Sequence, residues 1–127
     1  MLEPLSGYLL LASKMYKEPR KFSGAWNFGP NHDSIVPVRK IVSMIVEKWG
    51  VGKWLDISDK SEPHEANLLS LDISKARNFL NWHPKWNIQK CIEKTMEWYK
   101  NYNNEDVYEL CLNQIKTILK SKESQYE

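Results

Sequence analysis

Apolar residues recur at helical spacing along most of this chain. Leu2, Leu5, Leu9, Ala12 and Tyr16 fall on one face, Leu10, Leu11 and Met15 widen it, and Pro4 suits a first turn, so a helix is predicted over residues 2–16. A helix apolar around so much of its circumference expects neighbours on more than one side. From Val38, the positions Ile41, Val42, Ile45, Val46 and Trp49 give the clearest amphipathic helix, closed by Gly50 and Gly52. Asp72 and Ser74 offer capping oxygens to a two-turn helix over 75–80, which the run NWHPKW stops. Ile88, Ile92, Thr95, Met96 and Tyr99 mark a further helix, and Val107, Leu110, Cys111, Ile115, Ile118 and Leu119 mark the last.

Alternation of period two is scarcer. It predicts a short strand over 25–28, ended by Gly29-Pro30, a second over 53–57, and room for a third over 68–71. The expected architecture is therefore mixed α/β and mostly helical, with about five helices and two or three short strands too few to make an independent sheet. Residues 1–120 are expected to form one lobe, and 121–127, which lack periodicity, a frayed tail.

At 127 residues, 42% hydrophobic and 27% charged, the chain reads as one globular unit. A formal charge of +2 with both signs interspersed gives no electrostatic preference for nucleic acid. The longest apolar run, residues 9–12, is far short of the roughly 20 needed to cross a bilayer, and no basic region precedes an apolar stretch at the N-terminus, so a cytoplasmic location is expected. Cys91 and Cys111 lack the close pairing of zinc or redox motifs and read as reduced, partly buried thiols.

Catalytic signatures are missing from these residues. There is no G-x-S-x-G elbow, no converging metal-ligand set around His32, His64 or His83, no glycine fingerprint for a dinucleotide or phosphate loop, and no Tyr followed by Lys at i+4. What remains is polar loop chemistry: Asn31, His32 and Asp33 after the first expected strand, and Pro63, His64 and Glu65 before the third. Each alone reads as a solvated turn former. Two such loops at one edge would make a polar rim suited to a nucleotide sugar, with His and Asn donating to phosphate and hydroxyl oxygens and a carboxylate accepting from hydroxyls. Trp82, Pro84 and Trp86 read as a packed corner, with base stacking the lesser alternative, and Trp26, Trp49 and Trp98 as core or inter-domain packing.

The order and spacing of LEPLSGYLLLA, AWNFGP, PHEANLLSLDISKARNFLNWHPKW and EKTMEWYK resemble the C-terminal part of an extended short-chain dehydrogenase/reductase. The combination of LEPLSGYLLLA, WNFGP, PHEA and LNQI is narrower and is similar to the CDP-glucose 4,6-dehydratase family, from residue 2 to about residue 119. The corner motif alone resembles that of many nucleotide-sugar epimerases and dehydratases and is compatible with a uridine, thymidine or guanosine sugar as well. For the full family the resemblance implies NAD-dependent oxidation at glucose C4, loss of water across C5 and C6, and return of the hydride to C6, giving CDP-4-keto-6-deoxyglucose.

It further implies that this chain is the substrate-binding lobe, with the Rossmann domain, its NAD loop and its catalytic Tyr and Lys outside these residues. The chain alone is then expected to bind no cofactor or metal, to hold no catalytic residue, and to be inactive. Asn31 and His32, with His64 and Glu65 from the PHEA loop, become the substrate-binding candidates. CDP-glucose, the Rossmann half or a second copy are the expected partners. A non-catalytic helical interaction module on the same scaffold is the alternative, favoured by the surplus of aromatic residues and leucine.

Overall fold

The computed structural model describes residues 2–57 and 70–121. Five helices stand where periodicity places them: α1 (Leu2–Lys17), α3 (Val38–Trp49), α4 (Ser74–Leu80), α5 (Ile88–Asn101) and α6 (Val107–Lys120). A single extra turn, α2 (Pro19–Phe22), follows α1, with Pro19 at its first position, and a 3₁₀ turn spans His32–Ser34. Local chemistry fixes the ends. Gly50 closes α3 in the left-handed region at φ 92°, Asn87 Oδ1 accepts from Lys90 N at the start of α5, and Asp106 accepts from Tyr108 N and Glu109 N at the start of α6.

The helices fall into two packed groups. In one, α1 lies against α2 and α4. Phe22, Phe28, Ile73, Ala76, Leu80 and Trp82 are buried together there, with Leu10, Leu11 and Trp26 packed against them. In the other, α5 packs on α3 and α6, burying Ile92, Met96, Leu110 and Ile118.

The corner after α4 ties the groups together. The Glu3 carboxylate of α1 accepts from Lys85 N at 3.0 Å and Trp86 N at 2.7 Å. Trp82 Nε1 donates to Ser6 Oγ, and Trp86 Nε1 donates to Ser121 Oγ just past α6. The expected packing corner is thus polar as well as apolar: each indole ring is set among side chains while its N–H anchors a different helix.

The strands are the correction. Among the described residues there is none, so the mixed α/β expectation gives way to a helical fold. Residues 25–28 lie beside 71–73 without forming a strand, and the bonds between them run through side chains. Asn27 Nδ2 donates to Asp72 O at 3.2 Å, and Lys75 Nζ donates to Ala25 O at 2.9 Å. No backbone–backbone bond joins the two runs, so no ladder forms. The alternation of Trp26 and Phe28 instead reflects packing on the α1 group, where Phe28 is buried and Trp26 lies partly buried against it. Residues 53–57 form no strand either: Leu55 and Ile57 are 85% and 91% exposed and no neighbouring strand lies among the described residues. The third expected strand lies mostly outside the described residues; Ser70 and Leu71 belong to no strand. Of the expected tail, only Ser121 is described.

Candidate functional site

The run after α2 delivers a polar turn to the side of α4. Gly29 passes close to residues 71 and 73; a Cβ on it would lie 3.2 Å from that of Leu71, tighter than ordinary contact. Pro30 then leads into the 3₁₀ turn, where Asn31 is 7% exposed. Asparagine at this position usually caps the turn that follows. Here its side chain makes no capping bond; instead Arg77 Nη2 donates to Asn31 Oδ1 at 2.6 Å.

Arg77 reaches Asn31 because helical side chains lean toward the helix N-terminus. Ile73, Ala76 and Leu80, anchored in the core, fix that side of α4. Asp72 sets its start: Ser74 N donates to Asp72 Oδ1 at 2.8 Å. The Ser74 hydroxyl and N–H hold the Asp72 carboxyl below its ordinary range, and His32 adds a smaller electrostatic contribution in the same direction.

Residues 30–32, residues 70–74 and Arg77 together enclose an open cleft of about 400 Å³. That is within the roughly 300–1,000 Å³ usual for small-molecule sites. Arg77 and the Asn31 amide supply donors to it, His32 stands at its wall, and Asp72 is its carboxylate. The arrangement can bind and orient an acceptor-rich ligand.

Of the four residues singled out from sequence, the structure brings Asn31 and His32 into this cleft. His64 and Glu65 lie outside the described residues. Arg77 and Asp72 were not singled out as binding residues. A signal for Arg77 existed: it follows Ala76 on a helix whose start Asp72 and Ser74 fix, so its side chain must lean back toward the residues ahead of α4.

The chain is similar to CDP-glucose 4,6-dehydratase of Salmonella typhimurium. The two are 43% identical over 101 residues, 79% of this chain. The match spans only 28% of the dehydratase, little more than a quarter of its length. No family model matches the chain.

A dinucleotide cofactor of the kind the dehydratase family uses does not fit the described residues. Its pyrophosphate needs glycines at a strand-to-helix turn where the backbone can approach closely. Gly7 is instead buried within α1 against Phe28, while Gly50 and Gly52 sit at φ 92° and 110° in surface turns with nothing near them. Among the described residues, no three His, Cys, Asp or Glu side chains converge to hold a metal, and no helix is long and apolar enough to cross a membrane.

Proposed function

We propose that this chain is the substrate-binding lobe of a sugar-nucleotide 4,6-dehydratase, in the cytoplasm, and that the cleft beside α4 receives CDP-glucose. The 43% identity to the Salmonella dehydratase carries the reading. The cleft supports it, since Asn31 and His32 stand there beside Arg77. In this reading Asn31, His32 and Arg77 hold the nucleotide sugar, and His64 and Glu65 are further substrate-binding candidates. NAD and the groups that move protons and hydride belong to a Rossmann portion, so the 127-residue chain alone forms no CDP-4-keto-6-deoxyglucose when given NAD and CDP-glucose.

Calorimetric titration tests the reading. Saturable binding of CDP-glucose, tighter than that of CDP or UDP-glucose, is the expected result. No binding by a chain shown to be folded by circular dichroism would refute it.

A second reading has its own observation. On α1, Leu5, Leu9 and Tyr16 are 46%, 73% and 92% exposed along one face. A contiguous apolar face of this kind suits a protein partner, and a non-catalytic interaction module would use it. Dimerisation that persists while no CDP-sugar shifts the melting temperature would favour that module.

A further inference from the structure

The two walls of the cleft are held together without a ladder. Residues 30–32 form one wall, and residues 70–74 with Arg77 form the other. Among the described residues, no backbone–backbone bond joins the runs that carry them, 25–31 and 71–75. Phe28 and Ile73 are buried in one cluster, which brings the runs side by side. Apolar burial is non-directional, however, whereas a hydrogen bond fixes one atom against another.

Two side chains supply directed bonds, one from each run. Asn27 Nδ2 donates to Asp72 O at 3.2 Å, and Lys75 Nζ donates to Ala25 O at 2.9 Å. The pair is reciprocal: each run lends a side chain to a backbone carbonyl of the other, across 45 and 50 residues of sequence. The Lys75 ammonium also lies 4.3 Å from the Trp26 ring centroid, so a carbonyl and a ring face both restrain it. Lys75 stands in the first turn of α4, where the helix dipole disfavours a cation, so helix stability does not account for a lysine there. Gly29 lets the runs approach, since a Cβ on it would lie 3.2 Å from that of Leu71, and the two bonds keep them at that distance.

Both side chains are exposed and neither lines the cleft, so neither is placed to touch a ligand in it. Asp72, whose carbonyl Asn27 holds, does line it. Resting on the nucleotide-sugar reading above, we propose that Asn27 and Lys75 are positioning residues for that site. Their crossed bonds set the register and spacing of its two walls before the ligand arrives. Walls already in place spare the ligand the cost of ordering them, which appears as affinity.

The experiment titrates CDP-glucose calorimetrically into the wild-type chain and into Lys75→Met, Lys75→Arg and Asn27→Ala. Lys75→Met keeps an apolar stem beside Trp26 and loses the donor, and Asn27→Ala loses the other. Each should weaken binding by about fivefold, the scale of one hydrogen bond. Lys75→Arg, which still donates and still faces the ring, should recover most of the loss. A residue that only stabilises the fold would lower the melting temperature and leave the affinity of the folded chain unchanged. In the ligand-free chain, the backbone amide NMR signals of residues 30–32 should move in Lys75→Met and return in Lys75→Arg. Circular dichroism checks each variant; should Lys75→Met not fold, Asn27→Ala decides.

Wild-type binding with unchanged affinity in Lys75→Met or in Asn27→Ala would overturn this proposal and leave the nucleotide-sugar reading standing. A loss in Lys75→Met that Lys75→Arg does not recover at all would overturn the role of the Ala25 bond. A folded wild-type chain that does not bind CDP-glucose would overturn both the proposal and the reading.

Discussion

Replacing Gly7 by Ala sets two effects of known size against each other. Gly7 is a buried position inside α1, and alanine is better than glycine there by about 1 kcal/mol of helix propensity. The added Cβ, however, would overlap the ring of Phe28. That ring is 8% exposed and held edge-on by Tyr8 at 5.3 Å and Trp82 at 5.0 Å between centroids, so it cannot withdraw without breaking both contacts. Forcing extra volume into such packing costs about 1–3 kcal/mol, with the upper end expected where the neighbour is pinned. The net expectation for Gly7→Ala is destabilisation by about 1–2 kcal/mol.

Urea denaturation followed by circular dichroism measures it, with a fall in midpoint of about 1 M at the slope usual for a domain of this size. A double-mutant cycle with Phe28→Leu assigns the cause. The smaller side chain should relieve the overlap, so the two substitutions together should cost clearly less than the sum of each alone. Stabilisation by Gly7→Ala, or strict additivity in the cycle, would refute the reasoning.

Other residues offer independent checks. Glu3→Ala removes the acceptor of two backbone N–H groups in the partly buried corner and should cost about 2–3 kcal/mol in urea denaturation, whereas Glu3→Gln, which keeps one oxygen, should cost about 1 kcal/mol. Asp72 has its carboxyl held below the ordinary 3.8, so its contribution to stability is present above that value and lost as the pH falls through the lowered one. Asp72→Ala should therefore lower the melting temperature at neutral pH, by an amount that shrinks toward zero on acidification. Burial raises the Cys91 thiol above its ordinary 9.0, with Glu3 adding to the shift, so alkylation by iodoacetamide at pH 8 should be slower at Cys91 than at the same residue in denaturant.

Helices were legible in this sequence because their signal is local. The apolar spacing from Val38 to Trp49, the Asn87 and Asp106 caps and Gly50 each act within a turn or two of themselves. Strands failed because alternation supplies only half of what a strand requires. Residues 25–28 and 53–57 have the pattern, but a ladder needs backbone bonds to a neighbour, and among the described residues neither run makes them. Burial was also harder to read than helicity: α3, the most regular amphipathic helix, has no fully buried residue, and much of the apolar surface of α1 remains open.

The site divides in the same way. Asn31 and His32 stood out as polar residues after an aromatic pair. Arg77 did not, because its role depends on a partner 46 residues away that only the packing of the 25–31 run against α4 supplies. Trp82 and Trp86 were legible as a corner, while the use of their N–H groups to hold Ser6 and Ser121 was not.

The proposed function requires a nucleotide sugar to meet this chain in the cleft beside α4. Titration with CDP-glucose, followed through the backbone amide signals by NMR, locates that contact directly. Shifts concentrated at residues 30–34 and 70–77, around Asn31 and Arg77, are the expected result. Shifts confined to the open face of α1, or none at all in a folded chain, would contradict it.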